Sequence, residues 1–334
     1  MSHAMPARVN FVSLCMRIVR LGVVVALWFI GQPPCPAAPL LPNYYVRNLL
    51  VEDGLPEDSV TAAVQTDDGY LWFGTYSGLA RFDGVRFTVF DSGNTPELAS
   101  SRITCLFQDK TGILWIGHEA GELTCYEKNG RFHAEPVRAA WKGRKIFGIV
   151  ADETGDLWLI NDQGMLGRVK DGAVASPQPG RREKLVGFAG AFDGSIWVTR
   201  DGYASVLRQG VLTPQLLDGL PEASYVQGIC PSRDGKLWVV SQNRLRKWNG
   251  SGWVDDGVPL PLQGSPLTSF IESQNGLLAL GTQDKGLFLV SPQGETLNFS
   301  RGNGLLNDWI RSLCADREGN LWVATGGGGV AVLH

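Results

Sequence analysis

Asp67-Asp68-Gly69-Tyr70-Leu71-Trp72 is one copy of a phrase that runs the length of this chain. Thr111-Gly112-Ile113-Leu114-Trp115 is a second, and further copies surround Trp158, Trp197, Trp238 and Trp322. A weakened copy, Asn275-Gly276-Leu277-Leu278-Ala279, has alanine where the others have tryptophan. The glycines three residues before that seat are Gly69, Gly112, Gly155, Gly194, Gly235, Gly276 and Gly319, at intervals of 43, 43, 39, 41, 41 and 43 residues. A fixed period of about 40 residues is the mark of a repeat architecture and takes precedence over any local reading.

One repeat reads as four strands. Ser59–Gln65 alternates and is rich in Val and Thr, Tyr70–Thr75 is aromatic and apolar, and Gly78–Phe82 and Val85–Phe90 follow. Each run has strand length, and no helical period interrupts them. Asp83-Gly84 between the last two predicts a tight hairpin, with positive φ angles supplied by the pair. Asn129-Gly130, Asp171-Gly172, Gln209-Gly210, Asn249-Gly250 and Gln293-Gly294 hold the same place in five later repeats. The seventh repeat has only three strands, Trp309–Cys314, Asn320–Ala324 and Gly329–Leu333, before His334 ends the sequence. Tyr44–Leu50 stands alone ahead of the first repeat and alternates as the missing strand should. Docking it on the last unit removes two unpaired edges, so a complete closed ring is expected. The expected fold is all-β: a seven-bladed β-propeller with four antiparallel strands per blade, closed by an N-terminal strand. The blades centre near Trp72, Trp115, Trp158, Trp197, Trp238, Ala279 and Trp322.

Two more seats recur. Seven residues before each reference glycine stand Ala62, Cys105, Gly148, Gly187, Gly228, Ser269 and Ser312, all small, as crowding about an axis requires. Nine residues before it stand Val60, Ile103, Ile146, Leu185, Val226, Leu267 and Ile310, all aliphatic and expected between blades. The tryptophans read as inter-blade wedges, each with an indole donor that needs a partner; the alternative is ligand stacking. Ala279 should leave thinner packing. Asp68, Asp109, Asp152, Asp193, Asp234 and Asp316 read as turn acceptors.

Residues 1–38 read as a signal peptide and 39–334 as the propeller. Arg17 and Arg20 precede the apolar run Leu21–Ile30, and Pro36-Ala37-Ala38 suits cleavage. The run is too short to span a bilayer comfortably, so no retained membrane span and a periplasmic or secreted product are expected. The net charge is −3, and three leader arginines without an acid leave about −6 after cleavage, which argues against a nucleic-acid partner. Of the later cysteines, Cys105, Cys125, Cys230 and Cys314, the spacings fit no zinc pattern, so no metal and no cofactor are expected. They read as buried free thiols, or with a Cys105–Cys125 bridge.

Asp53-Gly54-Leu55-Pro56, Ser59-Val60-Thr61, Gly69 to Thr75 and Gly78 to Gly84 together resemble the two-component regulator propeller repeat, with partial copies at Gly219-Leu220-Pro221, Gly304-Leu305 and Ala324-Thr325. The resemblance implies a periplasmic sensor module. In such relatives two rings, a β-sandwich, a membrane helix and a cytoplasmic output such as a histidine kinase or diguanylate cyclase follow one another, and carbohydrates are the usual ligands. With one ring and no such output, this chain is expected to act through a separate membrane kinase or cyclase, or to be a truncated or split form of a longer sensor.

Function in a ring of blades gathers where inter-blade loops meet the channel. Loops into the innermost strands carry Arg102, Arg144, Lys145, Lys184 and Arg311, with Tyr225 and Trp309. Loops between second and third strands carry Tyr76, Glu119, Asp162, Arg200, Arg244 and Gln283. Arginine forks beside aromatic platforms suit an acidic or sulfated sugar or another small anion; a merely solvated charged rim is the alternative. His118 reads as a polar rim residue. A Glu119–Asp162 acid–base pair is the weaker catalytic option, and Ser232–Trp238 approximates an Asp-box turn, one residue short. The leading expectation is a non-enzymatic binding or scaffolding propeller of a sensory pathway. The alternatives are a lyase or hydrolase acting on an exported sugar or lactone, and a structural protein-interaction adaptor.

Overall fold

The computed structural model describes residues 44–334 except 138–140, 171–172, 176–184, 192, 201–202, 216, 218–225 and 255–256. The expected leader and the Asp171-Gly172 hairpin lie outside the described residues. Seven sheets of four antiparallel strands are present. Their innermost strands are Val60–Gln65, Ile103–Gln108, Ile146–Ala151, Leu185–Gly190, Val226–Pro231, Leu267–Glu272 and Ile310–Ala315. Each lies against the next in chain order, and the last lies against the first. The ring is closed as expected: Val46–Leu49 pairs with Val330–Leu333 in the register Val46↔Leu333 to Leu49↔Val330. Bonds between Tyr45 and His334 extend the ladder by one residue pair.

The period has a backbone cause. All seven reference glycines have φ between 79° and 92°, a left-handed conformation in which a side chain is strained. Each closes the turn from first to second strand, as when Gly69 N–H donates to Thr66 O at 2.9 Å. The outer hairpin differs from expectation in one respect. Gly84 takes a positive φ of 97°, but Asp83 does not. Its carboxylate instead accepts the Val85 and Arg86 amides at 2.8 and 2.7 Å, an Asx turn that needs no strained aspartate.

The tryptophans are wedges. Trp72 is fully buried against Ile103, Leu114 and Ile116 of the second blade, and Trp322 packs on Phe73 and Phe82 of the first, with ring centroids 5.7 and 5.8 Å apart. The indole donors are satisfied six residues upstream. Trp115, Trp158 and Trp322 donate to Asp109, Asp152 and Asp316 at 2.7, 2.8 and 2.8 Å, and Trp72 donates to Thr66 at 3.0 Å. Trp238 instead reaches Glu272 of the next blade at 3.3 Å. The aspartates therefore do two jobs: one oxygen accepts turn amides, such as Asn320 N–H on Asp316 at 2.7 Å, and the other accepts the indole.

The small and aliphatic seats interlock. A Cβ at Gly148 would stand 2.7 Å from Phe188, and one at Gly228 2.8 Å from Leu267, both in the following blade. On the second strand, a Cβ at Gly74 would stand 2.6 Å from Ile103 Cγ2. Gly74→Ala should therefore push the first two blades apart and destabilise the ring by about 1–3 kcal/mol, the usual range for overpacking; chemical denaturation of the variant measures it. Cys105, Cys125, Cys230 and Cys314 are free thiols, so the Cys105–Cys125 bridge is not formed. Burial raises Cys105, Cys230 and Cys314 to about 12 and Cys125 to about 11, which keeps them unreactive.

Candidate functional site

Every innermost strand carries a bulge one residue after its aliphatic seat, between Val60 and Ala62 in the first blade and at the matching point in the other six. The bulge residues are Thr61, Thr104, Phe147, Val186, Gln227, Thr268 and Arg311. In three blades threonine uses the irregularity to stitch neighbours. Thr61 Oγ1 donates to Ile103 O at 3.0 Å and Thr104 Oγ1 to Ile146 O at 2.7 Å, and Thr268 bonds Ile310 O in the same way. In the seventh blade the place is taken by Arg311, whose longer side chain reaches the first blade through Ser59 Oγ at 3.4 Å and the loop residue Tyr76.

There Arg311 joins an arginine–aromatic cluster. Its guanidinium lies 4.7 Å from the Trp309 ring and 5.2 Å from the Tyr76 ring. It also donates to Tyr76 Oη at 2.8 Å. Arg102 covers Tyr76 as well, at 4.7 Å. One phenol ring of the first blade therefore serves two guanidiniums, Arg311 from the seventh blade and Arg102 from the second. Each such contact is worth about 0.5–1 kcal/mol where water has access, enough to hold the side chains in place without burying them. Trp309 stays 41% exposed. Glu119 closes the group: its carboxylate bonds Arg102 Nε, with side-chain exposures of 54% for Arg102 and 39% for Glu119. That bond, with added attraction from Lys145 and Arg311, holds the Glu119 carboxyl below its ordinary range. Glu57 stands near, bonded to Ser77 Oγ at 3.1 Å, and acts on Arg102 electrostatically.

Of the expected mouth residues, Tyr76, Arg102, Glu119, Lys145, Trp309 and Arg311 are thus brought together. Arg244 is not part of the cluster: it donates to Gly257 O at 2.9 Å within the fifth blade. Arg144 lies in the turn after Trp141, its amide on Trp141 O at 3.0 Å. Lys184, Tyr225 and the side chain of Arg200 lie outside the described residues. Among the described residues the Glu119 carboxylate is engaged by Arg102 and makes no hydrogen bond to Asp162. Asp162 instead sits across from Lys145, its amide on the Lys145 carbonyl. No group of acids, cysteines and histidines among the described residues is arranged to hold a metal ion.

His118 corrects the sequence reading. It is not a rim residue but fully buried, ending the strand Leu114–His118. It fills the seat held by Thr75, Thr282 and Thr325 in other blades, where the hydroxyl bonds a carbonyl of the following turn. Here Nε2 bonds Thr124 Oγ1 at 2.8 Å. Burial lowers its pKa from 6.5 to about 4, opposed in part by the nearby Ser100 and Arg102 backbone. The folded state therefore binds a proton later than the unfolded state as pH falls. Stability from this residue is complete above about pH 6.5 and is lost on descent to about pH 4, by about 3 kcal/mol in all. His118→Thr, which restores the hydroxyl of the other blades, should flatten the melting-temperature profile between pH 7 and 4.5; an unchanged acid slope would contradict the assignment.

Seven closed blades with one loop face bearing a cationic, aromatic cluster define the molecule as a β-propeller with a polar candidate binding mouth. Residues 54–77, 97–120 and 304–327 match the sequence model of the family described as two component regulator propeller, so the chain carries that family's repeats. Those three segments contain Tyr76, Arg102, Glu119, Trp309 and Arg311: the cluster is built where the repeats match. No curated protein matches the sequence. Among solved structures, a streptogramin B lyase is 18% identical with a TM-score of 0.70, covering 89% of this chain and 99% of its own. The extracellular domain assigned to a hybrid two component system of B. thetaiotaomicron is 19% identical with a TM-score of 0.69; 87% of this chain matches 42% of that one. Virginiamycin B lyase from Staphylococcus aureus is 15% identical with a TM-score of 0.68, covering 87% and 99%. At these identities the likeness is one of fold. This chain spans less than half of the extracellular domain it resembles.

Proposed function

We propose that this chain is an exported, non-catalytic ligand-binding or scaffolding propeller of a two-component-type sensory pathway, taking a carbohydrate or small anionic ligand at the Tyr76 mouth. The observation that carries this reading is the pair of guanidiniums on Tyr76 beside the exposed Trp309. An indole face suits the apolar side of a sugar ring, and arginine forks suit an anionic substituent. Export is supported by the leader-like N-terminus and by the extracellular assignment of a similar ring. No helix among the described residues is long and apolar enough to cross a membrane. The partner in this reading is a membrane kinase or diguanylate cyclase. A glycan array and thermal-shift screen on the purified protein, with a pull-down from the periplasm, test this. Binding that is lost in Arg311→Ala and weakens with added salt is expected. Absence of both ligand and partner would defeat the proposal.

One observation favours a second reading, a lyase: the ring matches a streptogramin B lyase over 99% of that chain. A catalytically inactive histidine-to-alanine variant of the S. aureus enzyme is among the similar structures, solved with quinupristin. In this chain His118 is sealed inside the second blade, His133 lies on an outer strand beside Glu135, and His334 bonds Asn320. None of the three stands in the cluster. Turnover of quinupristin, or of a sugar lactone, would establish the enzymatic reading.

A further inference from the structure

Glu119 occupies the place a ligand's anion would take. Its carboxylate bonds Arg102, and the charges of Lys145 and Arg311, from two further blades, act on it at longer range. Arg102 is itself stacked on Tyr76, and Arg311 is stacked on Tyr76 and Trp309. The cations are therefore already oriented, and the group that neutralises them is a side chain that remains 39% exposed. An exposed ion pair of this kind holds weakly, so it can be exchanged. A burial-locked pair could not.

We infer that Glu119 is a built-in competitor that occupies the Arg102 guanidinium until a carboxylate-bearing saccharide displaces it. The inference rests on the binding reading given above and narrows its ligand. The incoming group exchanges for a carboxylate, so a uronic acid fits: its carboxylate takes the Glu119 position on Arg102, and its pyranose ring lies over Trp309. A neutral sugar supplies nothing to replace Glu119. A densely sulfated chain carries more negative charge than this seat favours, since Glu57 already adds an acid that acts on Arg102. The displaced Glu119 side chain swings into water, which its exposure permits without repacking the blade.

The test uses the full-length exported protein and trigalacturonate, with the neutral trigalactose as control, followed by titration calorimetry and by the emission of Trp309. Glu119→Gln should bind trigalacturonate more tightly than the parent by about fivefold, the release of one exposed ion pair. The neutral control should be unaffected. In the Arg102→Ala background the same substitution should give no gain, because the two residues act on one another. Melting temperatures of the single variants should match the parent, since both side chains are exposed. Equal or weaker binding by Glu119→Gln, or a gain that survives in Arg102→Ala, overturns the competitor role while leaving the mouth as a binding site. If neither parent nor variant binds trigalacturonate, the uronate assignment falls; binding of another ligand in the array would then still preserve the site itself.

Discussion

Arg47→Pro lowers the stability of the whole ring by about 3 kcal/mol or more, the cost of a proline inside a hydrogen-bonded element. Arg47 pairs with Val332, and Tyr45 and His334, two residues away on each strand, exchange both backbone bonds. Alternation along an antiparallel ladder makes Arg47–Val332 a bonded pair as well, so proline deletes a donor on the seam that closes the ring. The effect exceeds that of a proline at the exposed outer-hairpin residue Val85, which loses the turn bond from its amide to Asp83 but no ladder bond. Urea denaturation and limited proteolysis of the two variants make the comparison. A seam proline as benign as the one at Val85 would mean that closure contributes little.

Trp72→Ala should cost about 3–5 kcal/mol, the range for deleting a large buried aromatic. Trp72 has no exposed surface, and it touches Phe90 and Tyr126 at centroid distances of 5.8 and 4.9 Å. It also leaves Thr66 without its indole partner. The same change at Trp309, 41% exposed, should leave stability nearly unaltered while removing ligand binding. Melting temperature and ligand affinity, measured on both variants, separate a tryptophan that builds the ring from one that serves the mouth. If Trp72→Ala melted like the parent, the wedge account would fail.

Much of the ring was legible because its cause is backbone geometry. A left-handed turn demands glycine, so Gly69 and its six counterparts print the period into the sequence, and an indole beside a turn aspartate prints the wedge. Closure was legible because Tyr44–Leu50 had no other partner. The site was harder. The bulge residues, Thr61, Thr104, Phe147, Val186, Gln227, Thr268 and Arg311, are of one type in only three blades, since a bulge is a misfit between two ladders and any residue can occupy it. Arg311 was therefore visible as a loop cation but not as the one bulge residue free to stack on Tyr76. The depth of His118 was hidden for another reason. The Ser100 and Arg102 backbone of the loop entering its blade faces the imidazole ring, and the segment around Trp141, leading into the next blade, covers the adjacent turn, with Gly143 N–H on Ala120 O at 2.7 Å. A cover supplied from elsewhere in the chain leaves no mark on the residue it covers. One clue existed: threonine holds the same place in three other blades, which argues for a bonded interior seat.

The seam also dictates an order of events during synthesis. Asn48 donates to the carbonyl of Gly304 across 256 residues of chain, so the first of the described strands to be synthesised must wait for the last to find its partner. Until then it must be kept from pairing with strangers, because its ladder edge is ready-made for any extended peptide. Contacts of such long range make assembly slow. Any stall before Val330 is delivered would leave an open crescent, sticky at both ends and a natural target for proteases.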